Sequence, residues 1–185
     1  MSMYALQVMT GMEAEITQKL CGKGVDARCP QERRMIRRGG KWQEQLYTLF
    51  PSYIFVSTPD VYRVYYEVRD EDGVLHWLGA TKGTPEALSA REEANILWLA
   101  GDGPLPPSEA EVHADGTLDF TSGPLAHLRD LLEKVNRHDR RATVRVPVGG
   151  EDKTITLSYR LNGRQETVSN AAAGTPRSVN AADIF

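Results

Sequence analysis

The sequence predicts an α+β protein: an N-terminal α/β layer domain joined by a linker to a small C-terminal β-barrel. Three observations carry this. Strand and helix patterns alternate through residues 1–100, a Gly/Pro-rich break (Gly101-Asp102-Gly103-Pro104-Leu105-Pro106-Pro107-Ser108) follows, and beyond it only short alternating runs occur. The implied boundaries are 1–100 for the first domain, 101–110 for the linker, 111–168 for the barrel and 169–185 for a tail. That tail is mostly Asn, Ala, Gly, Ser and Thr, a composition too poor in apolar mass to order itself.

Met3 to Met9 alternates, with Tyr4, Leu6 and Val8 on one face of a strand. Thr10-Gly11-Met12-Glu13 then has capping-box spacing, and Met12, Ile16 and Leu20 give the helix its apolar stripe until Gly22 and Gly24 end it. A second strand lies near Val25 to Pro30. Arg34 to Arg38 and Trp42 to Leu49 flank Gly39-Gly40, which suits a hairpin turn. In Leu49-Phe50-Pro51-Ser52-Tyr53-Ile54-Phe55-Val56, proline precedes a β-branched and aromatic run. This predicts a buried strand with Tyr53 and Phe55 on one face and Ile54 and Val56 on the other.

Thr58-Pro59-Asp60 supplies an N-cap, a first-turn proline and an acid for a helix that buries Val61, Val64, Tyr65 and Val68. Gly73 to Gly79 reads as a short strand, and Ser89 with Glu92 forms a capping box opening a helix with Ile96, Leu97 and Leu99 inward. After the linker, Thr117 to Thr121, Ala142 to Val148 and Thr154 to Tyr159 alternate, with Gly149-Gly150 as a turn. Leu125 to Lys134 is rich in helix formers, but Pro147 and the alternating valines oppose a long helix. The expectation is a barrel that does not touch the first domain, with one helical turn after Pro124.

No apolar run among the 185 residues approaches the roughly 20 needed to span a bilayer, and the N-terminus does not read as an export signal. Cys21 and Cys29 are too few for a disulfide framework, and with four scattered histidines they lack metal-ligand spacing. A cytoplasmic protein with reduced thiols, no metal and no cofactor is expected. His76, His113, His127 and His138 have no nucleophile beside them in sequence, so the chain reads as a binder and not an enzyme. The formal charge of −3 argues against indiscriminate coating of nucleic acid. Two basic islands stand out nevertheless. Residues 28–41 hold Arg28, Arg33, Arg34, Arg37, Arg38 and Lys41 against Glu32, and residues 134–145 hold Lys134, Arg137, Arg140, Arg141 and Arg145 against Asp139. Each reads either as a solvated face or as a phosphate-binding one.

This architecture resembles the NusG family of transcription elongation factors. The resemblance rests on Tyr4-Ala5-Leu6-Gln7-Val8, Gly11, Glu13, the basic hairpin, the Phe50 to Val56 strand, Gly73-Val74, Leu78-Gly79 and the Pro85 to Leu99 helix. In the C-terminal part it rests on Ser122-Gly123-Pro124-Leu125-Ala126 and on Arg137 to Val146. The first domain is then of the NGN type and the second a KOW barrel. Arg33 to Trp42 and Lys134 to Ala142 resemble the LoaP group of specialised paralogs, antiterminators of long operons; housekeeping members normally have glycine where this chain has Ser52.

The resemblance implies that a monomeric protein grips the clamp helices of RNA polymerase through Phe50 and Tyr53, with Phe55 as contact or core and Tyr4 as a further candidate. It implies contact of Arg37, Arg38 and Lys41 with upstream or non-template DNA. For the barrel it leaves two readings. One is a nascent RNA hairpin bound by Lys134, Arg137, His138, Arg140 and Arg141. The other is the ribosome or Rho, bound through an apolar loop in which Leu128 replaces a key aromatic. RfaH, a relative, hides its polymerase surface under a helical form of this domain.

Overall fold

A computed structural model of the chain describes residues 1–79 and 84–162, except for the side chains of Met35, Arg37 and Trp42. The expected tail, 169–185, and the last residues assigned to the barrel lie outside the described residues. The first domain is built on a four-stranded antiparallel sheet of order β2-β5-β1-β6, with β1 Ser2–Val8, β2 Asp26–Arg28, β5 Tyr53–Thr58 and β6 Val74–Trp77. The hairpin β3 Gln31–Arg38 and β4 Lys41–Thr48 projects from it as a separate ribbon turning at Gly39-Gly40.

Period-two burial divides this sheet as the sequence implies. Leu6, Val8, Ile54 and Val56 face helices α1 Glu13–Gly22 and α2 Val61–Val68, meeting Ile16, Leu20, Val64 and Val68. Met3, Ala5 and Phe55 face the other way, toward Ile96 and Leu99 of α3 Ala90–Ala100. The capping box of α3 is present: Ser89 Oγ accepts from Glu92 N, and Glu92 Oε2 accepts from Ser89 N at 2.7 Å. The expected box at Thr10 is not. Helix α1 starts after Met12, and Glu13 instead accepts from the backbone N–H of Gly11 and of Ser52, each at 2.8 Å. Ser52 sits at φ +69°, a left-handed turn where glycine carries no Cβ penalty; the buried Glu13 carboxylate holds it there. Helix α2 is capped by Asp60, whose side chain accepts from Arg63 N at 3.1 Å, two residues later than expected from Thr58.

The C-terminal domain is a five-stranded sheet of order β8-β7-β11-β10-β9, formed by β7 Ser108–Val112, β8 Leu118–Ser122, β9 Leu132–Asn136, β10 Arg141–Val148 and β11 Glu151–Leu161. The expected helical turn after Pro124 is present as α4 Pro124–His127, followed by a 3-10 turn at Arg129–Leu131. Gly123, at φ +79°, lets α4 approach β7 so closely that a Cβ there would lie 2.8 Å from the Ser108 Cα. Strand β7 begins inside the expected linker, and β9 occupies a segment whose residues favour a helix.

The largest departure concerns the two domains together. They are docked. A single buried cluster runs from Met3, Phe50, Phe55 and Ile96 to Leu125, Leu128, Val146 and Leu157, so the expectation of a barrel free of the first domain is corrected. The linker is also tied down: Leu105 donates to Gln31 O at 2.8 Å and accepts from Arg33 N at 2.9 Å. Apolar surface left on the open faces of both sheets supplies the reason for docking.

Cys29 lies half-buried, and desolvation pushes its thiol up to about 11 despite a contact with Thr48 Oγ1. At pH 8 about one Cys29 in a thousand is then thiolate, so iodoacetamide is expected to alkylate exposed Cys21 well before Cys29 in peptide mass mapping.

Candidate functional site

The candidate rings do not form one exposed patch. Phe50 is 2 % exposed and Phe55 0 %, packed edge to face with centroids 5.2 Å apart. Both lie in the cluster that the two domains share, so neither ring faces outward while the domains are docked. Tyr4 lies on the opposite side of the sheet, edge-on to Trp77 at 6.1 Å and packed in the helix-covered cluster. It shares no face with the others. Tyr53, like Tyr4, is half-buried, and the second domain caps it. Lys153 on β11 donates to its hydroxyl at 3.0 Å and lies 4.4 Å from its ring centroid. Partial burial would lower the Lys153 pKa, but hydrogen bonds to the Glu151 carboxylate and Tyr53 hydroxyl raise it above the ordinary value.

Around this point the two domains interlock. Trp98 of α3 stacks on His127 of α4 with centroids 3.9 Å apart and planes 9° apart. Glu92, beyond its capping role, accepts from Gly150 N at 3.2 Å. Burial pushes its carboxyl up, yet the bonds from Ser89 and the glycine backbone bring it below the usual carboxylate range. Gly149, at φ +59°, packs so tightly that a Cβ would lie 2.7 Å from Leu78 Cδ2.

The hairpin adds a polar clasp. Glu32 is fully buried; its Oε1 accepts from Ser158 N at 2.6 Å and Ser158 Oγ at 2.9 Å, and its Oε2 accepts from Arg34 Nε. Arg34 also donates to the Thr156 carbonyl and lies over the Tyr47 ring at 4.4 Å. The geometry of β11 explains the match. Tyr159 N bonds Arg140 O, so alternate groups of β11, those of Thr156 and Ser158, point away from β10 toward an edge that β7 covers only from Tyr159 onward. Two hairpin side chains supply the acceptor and donor that a neighbouring strand would give. Sequence reading took Arg34 as part of a solvated or nucleic-acid face and did not single out Glu32; a lone acid at the root of a basic ribbon was the available signal.

The second basic island occupies the β9–β10 turn. Lys134, Arg137, His138 and Arg141 are exposed there. Asn136 shapes the turn, accepting from Asp139 N at 3.1 Å and donating to its carboxylate at 2.8 Å, while Arg140 takes φ +51°. Arg137 donates to Gly116 O at 2.7 Å. Arg38 and Lys41 are exposed at the hairpin end; the Arg37 side chain lies outside the described residues. Leu128 is buried, 2 % exposed. Among the described residues no group of three or more His, Cys, Asp or Glu is placed to hold a metal, and no helix is long and apolar enough to cross a membrane.

A two-domain protein with a basic hairpin and a basic turn is the class of molecule this describes. The family model "Transcription termination factor nusG" matches residues 1–97. The chain belongs to the NusG family of transcription termination/antitermination factors. It is similar to NusG of Pseudomonas aeruginosa, 25 % identical over 152 residues, covering 82 % of this chain and 81 % of that one. It is similar also to NusG of Buchnera aphidicola, 23 % identical over 172 residues and covering 85 % and 92 %. Among solved structures, "Domain interaction in Thermotoga maritima NusG" aligns with a TM-score of 0.48 at 20 % identity, covering 85 % of this chain and 93 % of that one.

Proposed function

We propose that this protein is a processive antiterminator of the LoaP kind, binding RNA polymerase through its first domain and structured nascent RNA through its second. The observation that supports the RNA half is the β9–β10 turn, which presents Lys134, Arg137, His138 and Arg141 to solvent. Phosphates are the partner such charge suits, and no Phe, Tyr or Trp lies between Lys134 and Arg141, which leaves the His138 imidazole as the one ring there to stack a base. The alternative, a coupler to the ribosome or Rho through the loop after Gly123-Pro124, itself requires a parting of the domains, because Leu128 lies in the cluster they share. The polymerase half uses Tyr53 as ring anchor on a rigid strand, with Phe50 and Phe55 forming the floor beneath it. Because Lys153 caps Tyr53, polymerase binding in this reading requires the two domains to part. In this reading Arg38 and Lys41, exposed at the hairpin end, follow DNA phosphates near the polymerase together with Arg37.

Replacing Arg137, Arg140 and Arg141 together by Ala is expected to abolish binding to leader-RNA stem-loops and to leave polymerase recruitment nearly intact, since the two surfaces lie on separate domains. Filter binding at several salt concentrations checks it. Wild-type affinity falls steeply with salt as phosphates release counterions. A triple variant with unchanged affinity and slope removes the RNA reading and moves the ribosome or Rho reading ahead.

A further inference from the structure

Docking brings the two basic islands, remote in the chain, onto one surface. We propose that this surface is a track for one RNA strand, complete only while the domains are docked. When polymerase parts them the RNA keeps the cations of the second domain alone, so each ligand weakens the other severalfold without excluding it. The proposal rests on the RNA reading above.

Strand register builds the track. Ala142, Val144, Val146 and Val148 are buried, which places Arg141 and Thr143 on the outer face of β10. Arg141 pairs with Asn136 on one side and Ser158 on the other; Thr143 pairs with Lys134 and Thr156. The row does not stop at Ser158, because the hairpin is fastened there through Glu32 and Arg34. Two residues further along the same face, exposed Arg160 shares a cleft of about 370 Å³ with Arg33 and Arg34. The linker prolines Pro106 and Pro107 form one wall.

Cations from both domains thus border a surface that also holds Asn136, Thr143, Thr156 and Ser158. With strands about 4.8 Å apart, the distance from β9 across β10 and β11 to the hairpin is roughly 15 Å, enough for several phosphates of one strand. Glu44 and Glu109 also line the cleft; Glu109 accepts from Ser122 Oγ at 3.1 Å, while Glu44 is exposed on the ribbon. They confine the anion path to the Arg33 and Arg160 side. Hydroxyls interleaved with cations suit a sugar-phosphate backbone and offer no apolar anchor to a protein partner.

Separation of the domains carries Arg33 away from Arg160. A strand held by both therefore favours docking by the factor it gains from Arg33 of the first domain, and by linkage disfavours polymerase by the same factor.

The test uses the full-length protein and a short RNA stem-loop with a uridine tail. Arg33→Ala and Arg160→Ala are each expected to weaken binding severalfold and to reduce the salt slope by about one. Both side chains are exposed, so neither change threatens the fold. RNA is expected to slow amide exchange at Ser158, whose N–H is held by Glu32 only when docked, and to weaken binding of the elongation complex. If Arg141→Ala weakens RNA binding while Arg33→Ala does not, whatever the effect of Arg160→Ala, the RNA stays on the second domain and the track is wrong. Faster or unchanged Ser158 exchange with RNA bound also overturns it. If none of the three variants alters affinity, the RNA reading itself fails.

Discussion

Glu32→Ala is expected to open the docked protein and to strengthen its binding to the elongation complex. The carboxylate is wholly inaccessible and satisfies Ser158 N–H, Ser158 Oγ and the Arg34 guanidinium at once. Removing one member of a buried ionic network costs about 3–5 kcal/mol, because the remaining charge and donor stay buried without partners. Here the molecule has an escape: parting the domains returns Arg34 and Ser158 to water. The cost therefore falls mainly on the docking equilibrium, and about 3 kcal/mol corresponds to a shift of roughly 150-fold. Amide exchange at Ser158 should quicken accordingly, with the melting of the first domain little changed. Polymerase affinity should rise toward that of the isolated open state. Unchanged exchange at Ser158 would show that the apolar contact alone holds the domains together.

The second large effect separates rings that the sequence groups together. Phe50→Ala and Phe55→Ala are each expected to destabilise the docked protein by about 3–5 kcal/mol, since both rings are fully enclosed there and pack on one another. For a chain of 185 residues that lowers Tm by about 6 °C or more. Tyr53→Ala should leave Tm nearly unchanged and lower affinity for the elongation complex tenfold or more. It also removes the partner of Lys153, which favours the open form, so the loss must be measured in the Glu32→Ala background, where both proteins are open. Calorimetry and affinity in the same samples distinguish the two classes of ring. Equal losses of affinity for Phe50→Ala and Tyr53→Ala at equal Tm would return Phe50 to the contact surface.

Much of the first domain was legible because its signals are local. The alternation of Tyr4, Leu6 and Val8, the Gly39-Gly40 turn and the Ser89–Glu92 box each act within a few residues, and each is found where the pattern put it. Thr10 misled because Glu13, although at the right spacing for a box, is used across the sheet to hold Gly11 and Ser52. Strand β9 was hidden by composition. Leu132-Glu133-Lys134 favours a helix, but pairing with β10 through Val135 and Ala142 outweighs propensity worth only a few tenths of a kcal/mol per residue. Burial of Phe50 and the capping of Tyr53 depend on groups such as Lys153 and Leu125, far along the chain. Periodicity within a strand reports which face a ring occupies and nothing about what covers that face. Glu32 escaped for the same reason, its partners being Ser158 and Thr156 of the other domain's open strand edge.

The pinning of Leu105 between Gln31 and Arg33 sets how hard the closed protein is to pry apart from outside. Residues 101–107 connect the domains, and part of that short span is fastened to the hairpin. A short tether presents its cargo at an effective concentration of order millimolar, so a partner present at about 1 µM starts roughly 1,000-fold behind, a handicap of about 4 kcal/mol. Cutting the chain within 101–104 with a protease site would leave every docking contact in place yet make reassociation bimolecular. The nicked protein at nanomolar concentration would then behave as two independent domains, and the competition between polymerase and docking would become a matter of dilution.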